Sequence, residues 1–145
     1  MKTLRLLLFL SALLALAGLG TVVRAAETAN FRGILIAGSN EEGQTDRRLA
    51  PYEGNLKRML PFKSYRFLGE GSASVPVPGR GAMNLGRGHR LELSTDAAGE
   101  RVRVEVSWPA ANLNTGLSLR PGAHTVLGGA SGENNEVLAV IFIRQ

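Results

Sequence analysis

Residues 101–108 read Arg-Val-Arg-Val-Glu-Val-Ser-Trp, and this stretch decides the fold class. Apolar side chains occupy every second position, with polar ones between them. Because successive side chains of a β-strand point to opposite sides, the alternation predicts one buried and one solvent-facing side. A helix would distribute the four apolar groups around its axis. Residues 101–108 are therefore predicted to form a half-buried strand of a sheet that packs on another layer.

Other segments carry strand patterns of two kinds. Residues 64–69, 89–95 and 112–119 alternate in the same way as 101–108. Residues 31–37 and 137–143 are continuous apolar runs, and such runs are typical of strands that are covered on both faces. Both runs are therefore predicted to be buried strands, with 137–143 in the centre of a sheet.

The connecting segments are rich in turn-forming residues. Two prolines in 72–81, Pro76 and Pro78, remove two backbone donors, which predicts an edge strand or a loop there. Residues 82–88 fit a short strand or a connector. Residues 96–99 are predicted to be a tight connection, 120–123 a type II turn, and 38–46 and 128–135 exposed loops.

One helical pattern is present after the N-terminal segment. Its apolar stripe recurs at helical spacing, starts near Pro51, which suits a first turn, and ends at Pro61. Glu53 and Lys57 stand four residues apart in the favourable order. A helix this short needs support from a sheet. The predicted stripe consists of Leu49, Tyr52, Leu56, Met59 and Leu60.

These elements predict a mainly β (α+β) fold. We expect a small β-sandwich or partly rolled barrel of short, mostly antiparallel strands. The one short helix, at about residues 50–60, is expected to pack on it and to lie across one opening. The absence of strand–helix alternation in the pattern argues against a doubly wound parallel sheet.

The N-terminal segment has the pattern of a signal peptide. Lys2 and Arg5 precede an almost wholly apolar run, and Val23 and Ala25 occupy the small-residue positions that signal peptidase reads. Cleavage after Ala25 divides the chain into a signal peptide, 1–25, and one domain, 26–145. The alternative is an uncleaved membrane anchor, but the apolar run is short for a span of about 20 residues.

Removal of this leader changes the charge balance. The whole chain has 17 basic and 12 acidic residues and a net charge of +5. Lys2, Arg5 and Arg24 leave with the leader, so 14 basic residues remain against 12 acidic ones, a net charge of +2. The high whole-chain pI is therefore weak evidence for nucleic acid or an anionic membrane as partner. The chain has no cysteine, and we expect a periplasmic or secreted domain without membrane insertion after leader removal.

The two histidines and the serines are the candidates for a catalytic site. His89 and His124 lie beside predicted turns, and neither has a second metal ligand at useful spacing. No serine lies in a Gly-x-Ser-x-Gly motif. We therefore predict turn or surface histidines, and no catalytic residue, metal or cofactor; a hydrolase built on the histidines is the lowest-ranked alternative.

Three arginines are the candidate ligand contacts. Arg80, Arg87 and Arg90 lie in a glycine-rich segment and form a potential stripe for an anionic polymer. Glycines that hold phosphate require a helix after them, and no helical pattern follows. A hairpin with solvated arginines is the simpler interpretation.

Two further patterns of the sequence have a possible ligand. The loops 39–46 and 131–136 contain enough oxygen ligands for a weak calcium site, but neither has the register of a calcium-binding loop. Tyr52, Tyr65 and Trp108 could form a sugar-stacking platform, but core packing explains Tyr52 and Trp108 more simply.

The sequence also resembles two groups of bacterial proteins. The ending Leu119-Arg-Pro-Gly-Ala-His-Thr-Val-Leu-Gly-Gly, followed by Val137-Leu-Ala-Val-Ile, is similar to the closing hairpin of bacterial secretins. The order of the segments 34–39, 46–49, 65–68 and 128–129 is similar to that in small uncharacterised exported bacterial proteins. The second resemblance implies an envelope location.

These observations predict an exported, non-enzymatic envelope module that acts by protein–protein contact, as an accessory of a secretion, pilus or surface assembly. A strand edge is the expected mode of contact with its envelope protein partner. The alternative is a binding protein for an anionic polymer or polysaccharide of the envelope, through Arg80, Arg87, Arg90 and nearby aromatic residues.

Overall fold

Trp108 is fully buried at the end of the strand Arg101–Trp108, and three valines of this strand point to the same side. The valines, Val102, Val104 and Val106, are each at most 5% exposed, whereas the arginine and glutamate side chains between them face solvent. The half-buried strand predicted at 101–108 is confirmed.

A computed structural model describes residues 27–131 and 136–145 of the chain. The predicted signal peptide, residues 1–25, lies outside the described residues, and so do residues 132–135 of the predicted loop 128–135. The described strands are β1 (Glu27–Ser39), β2 (Ser64–Val77), β3 (Gly79–Gly86), β4 (His89–Ala98), β5 (Arg101–Trp108), β6 (Leu113–Leu119), β7 (His124–Ser131) and β8 (Val137–Arg144).

The strands form two antiparallel sheets of four. The first sheet has the order β2-β1-β8-β7, and the second sheet has the order β3-β4-β5-β6. The chain passes from the first sheet to the second between β2 and β3, and back between β6 and β7. Because β6 and β7 belong to different sheets, the sheets face one another without closing into a barrel. The predicted small β-sandwich is confirmed.

The main core lies between the two sheets. Phe31 of β1 and Phe142 of β8 stack with their ring centroids 5.3 Å apart, and both are fully buried. Leu35 and Val140 continue this layer in the first sheet, opposite Trp108 of the second. Burial of large apolar side chains, at about 25 cal/mol per Å² of apolar surface, is what holds the two layers together.

A second core lies on the outer face of the first sheet. Ile34 and Ile36 of β1 and Ile141 of β8 are buried there against Leu49 and Leu56. The two central strands are thus covered on both faces, as their apolar runs predict. The expectation that the helix lies across an opening of the sandwich is wrong, because the helix is needed to cover this outer apolar face.

The helical segment consists of two parts. A 3-10 helix, Arg47–Tyr52, leads directly into α1, Glu53–Met59. The carboxylate of Asp46 accepts a hydrogen bond from the backbone N–H of Arg48 at 3.0 Å, which caps the start of the segment. The predicted ion pair between Lys57 Nζ and Glu53 Oε1 is present at 3.0 Å.

Met59 does not belong to the buried stripe. Its side chain is 51% exposed, whereas Leu49 and Leu56 are fully buried. Met59 is the last residue of α1, and the backbone at Leu60 is already extended, with φ −130° and ψ 97°, so the chain leaves the helix there. Met59 is therefore not part of the predicted apolar stripe, whereas Leu49, Leu56 and Leu60 of that stripe do contact the sheet.

β2 and β3 cover each other at one side of the sandwich. β2 runs unbroken from Ser64 to Val77 and is an edge strand of the first sheet, as Pro76 predicts. The absence of side chains at Gly69 and Gly71 lets the backbone of β3 approach, because an added Cβ would meet the carbonyl oxygens of Leu85 and Asn84. This side of the sandwich is therefore shielded.

The turns agree with the sequence in part. At 120–123 the N–H of Ala123 donates to the carbonyl oxygen of Arg120 at 3.0 Å, and Gly122 has a φ of +82°, as a type II turn requires. β4 continues to Ala98, beyond the predicted start of a turn at 96. β7 extends to Ser131, into the predicted loop.

Within the described ranges, no helix has the length and apolar character needed to cross a membrane.

Candidate functional site

Arg80 and Arg90 lie on the solvent-facing side of the second sheet. In the β3–β4 ladder Arg80 is paired with Ser94 and Arg90 with Asn84, so the two arginines share one face. Both line a shallow groove of about 350 Å³. Glu92 also lines this groove, so the face carries charges of both signs.

Arg87 is separate from that groove. It lies in the β3–β4 turn with a φ of +55°, and it does not line the groove that Arg80 and Arg90 share. The structure therefore brings together two of the three predicted contact residues. The hairpin interpretation of this segment agrees with the ladder between β3 and β4.

The aromatic side chains are not available as a stacking platform on this face. Trp108 is fully buried and Tyr65 is 1% exposed, both in the cores. Tyr52 packs edge-on against His124, with the ring centroids 5.5 Å apart. The aromatic residues expected beside the arginines therefore lie elsewhere, and core packing accounts for them.

Each histidine has a structural partner. The indole Nε1–H of Trp108 donates to Nδ1 of His89 at 3.1 Å, so the neutral ring of His89 carries its proton on Nε2. Nε2 of His124 lies 2.7 Å from Nδ2 of Asn55, which joins β7 to α1. Both histidines begin strands of different sheets and are half-buried, rather than free in turns.

The loop 39–46 and Glu136, the last residue of the second calcium candidate 131–136, line one pocket of about 310 Å³. Two of its acidic residues form separate ion pairs. Glu136 pairs with Arg66 at 2.8 Å, and Asp46 pairs with Arg48 at 2.8 Å. The hydrogen bonds from Arg48 lower the pKa of the Asp46 carboxyl to about 2. Across 27–131 and 136–145, no three acidic or histidine side chains are grouped closely enough to hold a metal ion.

The outer edge of β6 is the feature that sequence reasoning missed. β6 forms the edge of the second sheet, and within the described chain it is paired on its β5 side alone. Edge strands expose unpaired N–H and C=O groups, and proteins protect them with charges, prolines, bulges or a covering element. The segment Leu113–Leu119 reads Leu-Asn-Thr-Gly-Leu-Ser-Leu, with no charge and no proline, and pairs with β5 without a register shift.

The other three edges are protected. β2 contains Pro76 and is covered by β3, and β3 has a register shift between Asn84 and Gly86. β7 has a register shift between Gly128 and Ala130. The lack of charge in β6 can be read from the sequence, but its edge position cannot, because strand order is a property of the whole chain.

Apolar side chains lie partly exposed beside the β6 edge. Leu113, Thr115 and Leu117 point toward the core but are only half-buried, unlike the valines of β5. Nη1 of Arg144 donates to the carbonyl oxygen of Leu119 at 2.8 Å and ties the first sheet to one end of β6. The edge of β6 thus offers main-chain groups and apolar side chains along one line.

Comparison with protein-family models, curated proteins and solved structures gave no match. The resemblances to secretins and to small exported proteins stay predictions from sequence. The geometry of the second sheet and its β6 edge is the basis for a functional proposal.

Proposed function

We propose that this protein is an exported, non-enzymatic envelope module that acts by protein–protein contact, as an accessory of a secretion, pilus or surface assembly. The contact surface is the outer edge of β6, and the single observation that carries the proposal is the lack of edge protection over Leu113–Leu119. An extended strand of a partner would add to the second sheet there.

Main-chain pairing would supply the affinity of such a contact. Each added strand satisfies N–H and C=O groups that otherwise bond to water. Leu113 and Leu117 would lose exposed apolar surface when a strand lies beside them, which adds a hydrophobic contribution. Specificity would come from the side chains of the partner strand on the two faces of the sheet.

The test uses the full-length chain with a photoreactive side chain on the edge of β6. Asn114 is exposed on β6, and Ala82 is exposed on the shielded edge strand β3, so Ala82 provides a matched control. After illumination in cells of the source bacterium, we expect a defined protein adduct from position 114 and none from position 82. Equal adducts from both positions, or none from either, would contradict the proposal.

Binding of an anionic polysaccharide is the second candidate function. Its support is the groove that Arg80 and Arg90 share, and Glu92 in the same groove weakens it. Affinity for a polyanionic polysaccharide would fall steeply with added salt and would be lost in an R80A/R90A variant. No binding at low salt would rule this function out.

The hydrolase alternative ranks lowest. His89 accepts the indole N–H of Trp108 and His124 contacts Asn55, so both rings have roles in holding the fold. Replacement of both histidines without loss of any detected hydrolase activity would remove this alternative.

A further inference from the structure

We infer that the strand that pairs with β6 is β6 of a second copy of this chain. The inference rests on the proposed function, because it uses the same surface and names its occupant. Two copies would pair antiparallel about a two-fold axis through Gly116. The two second sheets would then form one continuous sheet of eight strands.

The sequence of β6 is self-complementary about Gly116. In an antiparallel pair, residues at equal distances from the centre lie opposite each other on the same face. Thr115 then faces Leu117 of the second copy, Asn114 faces Ser118, and Leu113 faces Leu119. Inward-pointing residues meet inward-pointing residues, and exposed polar residues meet exposed polar residues. A partner with the same sequence therefore matches this edge in pattern at every position.

The charges near this edge are compatible with two-fold pairing. β6 itself is uncharged, Arg120 follows its last residue, and charged side chains of β5 lie beside it on the outer face. Arg103 lies beside Ser118 and forms an ion pair with Glu105, with Nε and Oε1 3.8 Å apart. Glu105 is paired with Gly116, so the dimer brings the Glu105 side chains of the two copies toward each other at the two-fold axis. The negative charge of each Glu105 is compensated by Arg103 of the same copy.

The geometry also limits assembly to two copies. An isologous contact uses the same surface on both partners and leaves none free for a third. The shielded pair β2 and β3 and the irregular strand β7 do not offer a second regular edge. We expect a closed dimer and not a fibre.

The register is tested with single cysteines, since the chain has none of its own. Asn114 and Ser118 are exposed on the outer face, so N114C and S118C should fold. In the inferred register, position 114 faces position 118 of the second copy, whereas two positions 114 are separated along the strands by four residues, about 13 Å. That separation exceeds the reach of a disulfide.

We expect an equimolar mixture of N114C and S118C to form a disulfide-linked dimer under mild oxidation. Either variant alone should remain uncrosslinked. A mixture of S118C with A82C, whose thiol lies on the shielded edge, is the matched control and should also remain uncrosslinked. Crosslinking of N114C with itself, or equal crosslinking in all mixtures, would overturn the register.

Charge variants test the contact without cysteine. N114K/S118K places like charges opposite each other twice, and its dimer dissociation constant should rise by about tenfold or more. N114K/S118E places opposite charges there and should restore the dimer. Light scattering after size-exclusion chromatography measures the molar mass of each variant, and therefore whether it is a monomer or a dimer.

The outcomes separate this inference from the proposed function. A monomer at every concentration, together with a photo-adduct from position 114 to a different envelope protein, overturns the inference and leaves the proposed function in place. A monomer with no adduct overturns both. A dimer that is unchanged in N114K/S118K shows that another surface makes the contact, and this also overturns the inference.

Discussion

The indole N–H of Trp108 donates a hydrogen bond to Nδ1 of His89, at 3.1 Å, between the end of β5 and the start of β4. The two rings meet edge to face with their centroids 5.7 Å apart. Trp108 is fully buried, so its N–H has no access to water and depends on this acceptor.

Replacement of His89 should therefore destabilise the fold. H89F leaves the buried indole N–H unpaired, and we expect it to lower the free energy of unfolding by about 1–3 kcal/mol. H89Q keeps a hydrogen-bond acceptor for the indole N–H, so its free energy of unfolding should fall by less than that of H89F. Urea denaturation followed by the fluorescence of the single tryptophan measures both. Equal stability of H89F and H89Q would contradict the role of the hydrogen bond.

Arg144 should couple the two sheets. Its Nη1 donates to the carbonyl oxygen of Leu119 at 2.8 Å, and its own backbone N–H donates to Ala123 at 2.9 Å. R144M removes the side-chain bond and should cost about 1.5–3 kcal/mol in denaturant unfolding, since the donor is charged. R120M, at an exposed neighbouring position, is the control and should change stability by less than about 0.5 kcal/mol.

Asp46 should make stability depend on pH in the acid range. Its pKa is lowered to about 2 by the hydrogen bonds from Arg48, so the folded state favours the carboxylate. Stabilisation from a lowered pKa is present above the ordinary aspartate pKa, near 4, and is lost as the pH falls through about 2. D46N keeps a cap for the Arg48 N–H but loses the charge.

We therefore expect D46N to have a lower melting temperature than the unmodified protein at pH 7. The difference in melting temperature should shrink as the pH falls from about 4 to about 2. Thermal unfolding by circular dichroism at a series of pH values measures this. A difference that stays constant down to pH 2 would show that the charge of Asp46 is not the cause.

Leu56 should be the residue that anchors α1 to the first sheet. It is fully buried among Ile34, Ile36 and Ile141, so L56A should cost about 2–5 kcal/mol. M59A, three residues later on the exposed side, should cost less than about 0.5 kcal/mol. Urea denaturation of both variants measures the contrast, and similar losses would indicate that the helix packs differently.

Local patterns predicted most of the strands and little of their arrangement. Alternation predicted the strand at 101–108, because burial of one face requires an apolar residue at every second position. A continuous apolar run predicted the central strand at 137–143, because burial of both faces requires apolar residues at successive positions. Met59 is the last residue of α1 and is exposed, and the apolar pattern, which continues to Leu60, does not mark the end of the helix.

The candidate site was less predictable. Arg80, Arg87 and Arg90 look equivalent in sequence, but the β3–β4 ladder places Arg80 and Arg90 on one face and leaves Arg87 in the turn. The edge position of β6 follows from the pairing order of eight strands, which involves contacts between distant residues. The hydrogen bond from Trp108 to His89 likewise joins two positions whose proximity only the ladder creates.

β8, the last strand of the chain, lies inside the first sheet, so this sheet cannot be completed before the end of the chain has been synthesised. β8 separates β1 from β7, and its residue Arg144 pairs with Phe31, 113 positions earlier in the chain. A nascent polypeptide in which β8 has not yet been synthesised lacks the strand that joins β1 to β7. Folding of the layer must therefore follow release of the segment, and such distant pairing favours slow folding. The native pairing of the first sheet is therefore completed only when the last strand of the chain has been synthesised.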